Sequence, residues 1–316
     1  MQSKIDEIDL KILNDLLKDG RKTFADIAKD CGTTKGVIAR RFKQMQAKGI
    51  IVGATIQNSI ECFNKKMIAM TYLRIEEGKN EHVLGFLANL PQITQVFSSK
   101  VEPLVIFWAV LGDSEEFESF RQQLLDSQFV NRLDSQIFFG VRNHPENLSI
   151  FGNKPKMKES KCAGLKTKIT DLDKLLIEKL TADGRMTFSQ IAKDLGTTTE
   201  TISRRYERLK DGGFIRVVIR IDPKKIGYVA FASISLKLSK ADINIIDELS
   251  EIPDITQIQR TSGKFDYWII AMLRDLEHLL DIQFKIRAIR GIDKMESDII
   301  PLSFPWPTVR EFKSTA

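Results

Sequence analysis

The chain has 316 residues, a formal net charge of +6, a pI near 9.0 and 42% hydrophobic residues. This length allows two or more domains with their own cores, and no apolar run reaches the ~18 residues that a membrane span requires. The first residues also lack the apolar stretch of a signal peptide, so we expect a cytoplasmic protein. The three cysteines are odd in number and widely spaced, which predicts reduced thiols and neither a disulfide framework nor a metal site; no cofactor is expected. They are Cys31, Cys62 and Cys162.

The sequence contains one long segment twice. The stretch from Asp19 to Thr34 reappears from Asp183 to Thr198 at a constant offset of 164 residues, and each copy continues into an Arg-Arg pair. Self-similarity over so long a period indicates two domain-sized units and not a solenoid of short repeats.

Each copy predicts three helices. In the first, apolar residues recur at helical spacing from Ile5 to Leu17, Thr23 caps a helix that Gly32 ends, and Thr34 caps a third helix extending to Lys48. In the second copy the same places are held by Thr187, Gly196 and Thr198. A helix, a glycine turn and a second helix indicate a helix-turn-helix unit, whose last helix would enter the major groove of DNA.

After each helical unit the apolar pattern changes to alternation, as in half-buried strands. The order β-α-β-β-α-β follows in both halves, which predicts an α+β chain of two three-helix, winged helix-turn-helix domains, each followed by a ferredoxin-like domain. The predicted boundaries are 1–53 and 54–145 for the first pair, 146–167 for a flexible basic linker, and 168–217 and 218–316 for the second pair.

This arrangement resembles the Lrp/AsnC, or feast/famine, family of transcriptional regulators, in which the ferredoxin-like part is the ligand-sensing RAM domain. The resemblance covers nearly the whole chain, twice, as a tandem duplication. It rests on the Asp-Gly-Arg triplets, on the openings Asp9-x-x-Ile12-Leu13 and Asp173-x-x-Leu176-Ile177, on Gly49-Ile50-Ile51 and Gly213-Phe214-Ile215, and on a Thr-Ser-Gly-x-x-Asp loop, Thr261 to Asp266. It implies a sequence-specific regulator that binds double-stranded DNA and is not an enzyme.

The candidate DNA contacts lie on the third helix of each unit. The first of these helices carries five cationic residues and no acid, whereas the second has four cations and two acids. Cations that neutralise phosphates raise affinity without regard to sequence, so the first unit is expected to bind DNA more tightly. For Arg41 and Arg205, a phosphate contact and an ion pair inside the domain are both left open. The candidates are Thr34, Lys35, Gly36, Arg40, Arg41, Lys43, Thr198, Thr199, Glu200, Arg204, Arg205 and Arg208.

The resemblance also implies an amino-acid-like effector near the glycine loop of paired RAM domains, at Ser262, Gly263 and Asp266. A carboxylate suits an α-ammonium group; a turn-closing role for Asp266 is the alternative. In the first half Val101 and Leu104 stand opposite Gly263 and Asp266. We therefore expect specialisation, with DNA affinity concentrated in the first half and any effector site in the second.

Covalent linkage favours an intrachain pseudo-dimer, and homo-oligomers are expected as well. An architectural DNA-binding protein is the first alternative function. A siroheme decarboxylase is the less favoured one, because such halves also resemble those enzymes. Only three histidines exist, of which His82 and His278 are predicted on the surface and His144 lies in the single candidate cluster, Arg142-Asn143-His144.

Overall fold

The computed structural model describes residues 5–58, 67–98, 103–128, 130–152, 169–240, 245–302 and 305–307. Cys62, Cys162, Val101 and the lysine-rich part of the predicted linker lie outside these residues. None of the helices in these ranges is long and apolar enough to cross a membrane.

Two three-helix units confirm the predicted helix-turn-helix domains. The first contains α1 (Glu7–Lys18), α2 (Phe24–Asp30) and α3 (Lys35–Ala47), and the second contains α6 (Asp171–Ala182), α7 (Phe188–Asp194) and α8 (Thr199–Asp211). The predicted N-caps Thr23, Thr34, Thr187 and Thr198 each accept a hydrogen bond from a main-chain N–H of the first turn. Gly32 and Gly196 form the turns with φ of 61° and 63°, a left-handed conformation that favours glycine.

A two-stranded antiparallel ribbon joins the two units. It pairs β1 (Ile51–Asn58) with β6 (Ile215–Ile221) and crosses the predicted domain boundaries at 53 and 217. The helix α1 packs on β6 and α6 packs on β1, so each unit rests on the strand of the other. The two halves are therefore in contact within one chain.

The Asp-Gly-Arg triplets make these crossed contacts. The main-chain N–H of Gly20 donates to the Val217 carbonyl at 2.7 Å, and that of Gly184 donates to the Ala54 carbonyl at 2.9 Å. A Cβ atom on Gly184 would lie 2.8 Å from the main-chain nitrogen of Thr55, and one on Gly20 would lie 2.9 Å from the main chain of Val218. Only glycine fits at both positions, because the obstructing atoms are backbone.

The arginines of the two triplets exchange partners across the same junction. Arg21 donates to the Met186 carbonyl at 2.5 Å and lies 4.4 Å from the ring centre of Phe188. In return, Arg185 donates to the Gly20 carbonyl, with its guanidinium 5.1 Å from the ring centre of Phe24. Burial lowers the pKa of both guanidiniums. Both remain charged, and each cation lies near an aromatic ring of the other unit.

An eight-stranded sheet holds both ferredoxin-like domains. The first contributes β2 (Met67–Ile75), α4 (Asn80–Ala88), β3 (Ile93–Ser98), β4 (Leu104–Leu111), α5 (Ser114–Leu125) and β5 (Val130–Asn143). The second contributes β7 (Ala230–Leu238), α9 (Ile245–Ser250), β8 (Ile255–Thr261), β9 (Tyr267–Leu273), α10 (Leu276–Arg287) and β10 (Ile292–Pro301). The strand order is β10-β7-β9-β8-β5-β2-β4-β3, and antiparallel pairing of β5 with β8 makes the sheet continuous. Both predicted β-α-β-β-α-β orders are confirmed.

One face of each half-sheet carries its own two helices, and the other face packs toward the opposite half. Trp268 lies in this central contact, with its ring centre 6.0 Å from that of Trp108 and 5.4 Å from that of Phe138. Aromatic packing of this kind buries large apolar areas. The same cluster continues into the first helix-turn-helix unit through Leu148 and Trp306.

Two segments are more ordered than the sequence predicts. The beginning of the predicted linker forms a 3-10 turn, Ser149–Phe151, that contacts α1, and Leu148 is 1% exposed. Trp306, in a tail without a predicted role, exchanges two main-chain hydrogen bonds with Ile221 at the end of β6. Both segments fasten the first helix-turn-helix unit to the sheet.

We predict that Gly184→Ala lowers the free energy of unfolding by about 2 kcal/mol, because the added methyl group forces α6 and β1 apart. Urea denaturation of the full chain measures this change. The matched control is Gly85→Ala in α4, where a Cβ meets nothing within 4 Å; it should stabilise by about 1 kcal/mol. Equal effects of the two substitutions would contradict the close approach at Gly184.

Candidate DNA-binding surface

The exposed surfaces of α3 and α8 carry the side chains that are available to a polyanion. On α3, Lys35, Arg40 and Lys43 are exposed, while Ile38, Phe42 and Met45 face the core. On α8, Thr199, Glu200 and Arg204 are exposed, with Ile202, Tyr206 and Leu209 on the buried side. The capping residues Thr34 and Thr198 are also exposed, at the helix N-termini. These candidates therefore lie on the two outer helix faces.

Three of the candidate arginines are bound inside their own domain. Arg41 forms ion pairs with Asp6 at 2.6 Å and with Asp9 at 3.0 Å. Arg205 and Arg208 both pair with Asp173, at 2.9 Å and 2.5 Å. Of the two roles left open for Arg41 and Arg205, the structure shows the internal ion pair. For Arg208 the internal pair was not predicted.

Asp173 is the centre of the second of these networks. Its side chain is fully buried, and it also accepts hydrogen bonds from the main-chain N–H and the hydroxyl of Thr170. Burial alone would raise the pKa of Asp173, but the hydrogen bonds from Thr170, Arg208 and Arg205 outweigh it and lower the pKa. The buried charge thus fixes α8 against α6.

Gly36 has no steric requirement within the chain. A Cβ atom there would meet only the hydroxyl oxygen of Thr34, at 3.9 Å, an ordinary contact. Close approach of the main chain to DNA remains a prediction for this residue.

The predicted effector loop lies at the junction of the two half-sheets. The main-chain N–H of Ser262 donates to the Ile137 carbonyl of the first half, and Gly263 is exposed with a φ of 107°. Asp266 accepts a hydrogen bond from the main-chain N–H of Leu238 at 2.8 Å and pairs with Lys237 at 3.0 Å. Of its two open roles, these contacts correspond to the turn-closing carboxylate.

A buried polar cluster was missed by sequence reasoning. Asp254 is fully buried with a φ of 68°, and its carboxylate accepts hydrogen bonds from the Tyr228 hydroxyl at 2.5 Å and from the Ser149 N–H at 2.8 Å. His278 Nε2 lies 3.1 Å from the same carboxylate, and its side chain is 8% exposed. The prediction that His278 lies on the surface is therefore wrong, because its partner is brought close only by the fold. Burial would raise the pKa of Asp254, yet the contacts with His278, Ser149 and Tyr228 lower it.

The remaining histidines are separate from this cluster. His144 Nδ1 lies 3.5 Å from Glu146, which also contacts Arg216 of β6 at 3.4 Å. His82 is exposed on α4, as predicted. Within the residues described by the structure, no group of three or more His, Cys, Asp or Glu side chains could hold a metal ion.

The fold and surface define a protein with two linked helix-turn-helix units on paired ferredoxin-like domains. Three protein-family models match this chain and agree with this class. The model of winged helix-turn-helix DNA-binding domains matches residues 5–52, that of the AsnC-type helix-turn-helix domain matches 169–210, and that of the Lrp/AsnC ligand binding domain matches 229–302. The HTH-type transcriptional regulator LrpA of Pyrococcus horikoshii is 34% identical over 138 residues, which are 42% of this chain and 96% of that protein. The chain belongs to the Lrp/AsnC family.

A further relative and a solved structure show how the tandem chain compares with other proteins. The regulatory protein AsnC of Escherichia coli is 28% identical over 148 residues, 46% of this chain and 96% of that one. A crystal structure of the siroheme decarboxylase NirDL matches 96% of this chain and 93% of its own, with a TM-score of 0.64 and 15% identity. The second comparison shows a shared fold for the whole tandem chain.

We predict that Asp173→Asn lowers the free energy of unfolding at pH 7 by about 3 kcal/mol, because it leaves Arg205 and Arg208 without their buried partner. A carboxylate whose pKa is lowered by folding stabilises above its unfolded value of about 3.9 and loses this effect as the pH falls through its folded pKa. The difference between the variant and the native chain should therefore shrink below about pH 4. Chemical denaturation across this pH range measures it.

The matched control is Asp171→Asn on the same helix, whose side chain is 93% exposed beside Lys174. Its effect should stay within about 0.5 kcal/mol. If the two variants had the same free energy of unfolding at pH 7, the role assigned to Asp173 would be contradicted.

Proposed function

We propose that this chain is a sequence-specific DNA-binding transcriptional regulator in which both helix-turn-helix units of the functional pair are supplied by one polypeptide. The observation that carries the proposal is the pair of capped third helices, held together by the β1–β6 ribbon, with cationic side chains on their exposed faces. Family membership supports the same conclusion. Regulation of transcription, and not catalysis, is the activity we assign.

The two units are unequal in charge. Lys35, Arg40 and Lys43 are exposed on α3, which carries no acid, whereas α8 exposes Glu200 and Glu207 beside Arg204. Phosphate contacts dominate affinity and its salt dependence. The first unit is therefore assigned most of the DNA affinity, and the second unit adds a weaker contact.

The finer part of the proposal is an amino-acid-like effector of the second RAM domain. The match of residues 229–302 to the Lrp/AsnC ligand binding domain supports it. Gly263 is exposed, the Ser262 N–H is bonded to the Ile137 carbonyl, and Asp266 is engaged by Leu238 and Lys237. We assign ligand contact to the loop around Ser262 and Gly263, and shaping of that loop to Asp266.

We predict that Arg40→Ala weakens DNA binding about tenfold and makes the dependence of log affinity on log salt shallower by about one unit, because it removes one phosphate contact. Its stability should be unchanged, since Arg40 is exposed. Arg41→Ala should instead lower stability, because Asp6 and Asp9 lose their partner. Fluorescence anisotropy at several salt concentrations, with denaturation in parallel, separates the two effects.

The control for charge is Lys240→Ala, which removes an exposed cation two residues after the end of β7. It should leave both affinity and salt dependence as they are. If Arg40→Ala behaves like Lys240→Ala, then α3 is not the DNA-binding helix.

Selection of genomic fragments at low and high salt tests sequence specificity. A regulator should enrich an inverted repeat with half-sites about one helical turn apart that survives high salt. Broad binding that collapses with salt would instead indicate an architectural DNA-binding protein.

The second candidate, a siroheme decarboxylase, is favoured only by the fold shared with NirDL over the whole chain. Against it, the side chains of His144 and His278 are 13% and 8% exposed, and each lies beside a carboxylate of its own chain. We predict that titration with siroheme gives no saturable change in its absorbance spectrum. A saturable change that His278→Ala or His144→Ala abolishes would support the enzyme and contradict the regulator.

A further inference from the structure

The third helices of the two helix-turn-helix units differ in kind at their second residue. In α3 this residue is Gly36 and in α8 it is Glu200, at the same offset of 164 residues as the rest of the duplication. Both positions are exposed. At this place one unit therefore presents no side chain to DNA, whereas the other presents a carboxylate.

This position is one that reads bases in a helix-turn-helix unit, because the helix that enters the major groove contacts base edges through its N-terminal residues. Glu200 lies in the first turn of α8 and shares an outer face with Arg204, since residues four apart lie on the same side of a helix. The equivalent arginine of α3, Arg40, follows Gly36 at the same spacing. The two units thus share one contact and differ in the neighbouring one.

The carboxylate of Glu200 is available to DNA. Among the residues that the structure describes, no cation forms an ion pair with it, Arg204 included. In this it differs from Asp173, whose charge is paired with Arg205 and Arg208. The negative charge of Glu200 therefore faces whatever α8 binds.

An acid on this face weakens DNA binding in general, because it repels the phosphates that dominate affinity. The helix dipole favours an acid in the first turn of a helix. However, α3 forms with the same threonine cap and no acid in its first turn. Helix formation therefore does not account for Glu200, and a compensating gain has to come from the base that it meets.

Cytosine is the base whose major-groove edge suits a carboxylate. It presents the N4 amino group, a donor, whereas guanine presents the N7 and O6 acceptors and thymine presents the O4 acceptor. Adenine has a donor at N6, but its N7 acceptor lies beside it and repels a second acceptor. A carboxylate at the start of α8 therefore favours cytosine over the other three bases.

We infer that Glu200 selects a cytosine in one half of the operator, and that the mirror position in the other half, which meets Gly36, is not selected. The inference rests on the proposed function. The β1–β6 ribbon joins the two units, so α3 and α8 bind as a fixed pair. The chain consequently binds its operator in one orientation, because the reverse orientation leaves the Glu200 carboxylate without its donor.

Selection from double-stranded oligonucleotides of random sequence, long enough for two half-sites about one helical turn apart, tests the inference with the full chain. The native chain should enrich an incomplete inverted repeat. One half should prefer a cytosine by about tenfold over other bases, and the mirror position should accept all four. An operator with the same requirement in both halves would overturn the inference and leave the regulator standing. Enrichment of no sequence would overturn both.

Glu200→Ala separates base reading from helix stability. The variant should lose the cytosine preference and bind random-sequence DNA several-fold more tightly, because one charge that repels phosphate is removed. The matched control is Glu207→Ala, which removes an exposed charge from α8 outside the first turn. It should also bind random-sequence DNA more tightly but keep the preference. If Glu200→Ala instead binds all sequences more weakly and keeps the preference, Glu200 only stabilises the helix and the inference is overturned.

Gly36→Glu transfers the carboxylate to the first unit. The chain accommodates this side chain, because a Cβ atom at Gly36 meets only the hydroxyl oxygen of Thr34, at 3.9 Å. The variant should acquire a cytosine preference at the mirror position as well, so that the enriched operator becomes symmetrical there. A variant that binds DNA without this second preference would contradict the reading of cytosine by a carboxylate at this place.

Discussion

Two glycines allow each helix-turn-helix unit to lie directly on the ribbon strand of the other. The main chains at Gly20 and Gly184 donate to Val217 and Ala54, and no side chain fits between them. The arginines that follow reach across this junction in opposite directions, each near an aromatic ring of the opposite unit. This junction holds each helix-turn-helix unit against the β1–β6 ribbon, while the separate pairing of β5 with β8 joins the two ferredoxin-like domains. Because both partners belong to one chain, pairing requires no encounter between molecules.

Duplication leaves two copies of one fold free to diverge. The first unit has a third helix without acids and is fastened to the sheet by Leu148 and Trp306. The second unit has acids on its third helix and is held together by the buried carboxylate of Asp173. Of the helices that pack on the outside of the sheet, α10 carries an apolar row where α5 is polar. Apart from the buried Asp173, these differences concern exposed or junctional residues, since the internal apolar positions are fixed by the common core.

Buried carboxylates are costly unless they are paired or hydrogen-bonded, and this chain places two of them where separate segments meet. Asp173 connects α6 to α8, and Asp254 connects the second RAM domain to Ser149 in the segment that follows the first RAM domain. In both cases several donors outweigh the cost of burial and lower the pKa of the carboxyl group. Such networks specify one arrangement of the segments. If the segments were arranged differently, some donors would be lost and the buried carboxylate would lack the hydrogen bonds that offset its burial.

The sequence by itself determined the order of the helices and strands, the helix caps and the two repeated halves. These depend on local periodicity and on short-range hydrogen bonds, so Thr34, Thr198 and Gly196 could be assigned without a structure. Only the tertiary structure decided whether chemically similar side chains are exposed or paired, and with which partners. Arg40 and Arg41 are neighbours in sequence, yet Arg41 pairs with acids at the start of α1 while Arg40 is exposed. The His278 side chain is 8% exposed and lies beside Asp254 only because the fold brings the two together. The physical reason is that a charged side chain is governed by partners distant in the chain, and the position of those partners is fixed only when the elements pack.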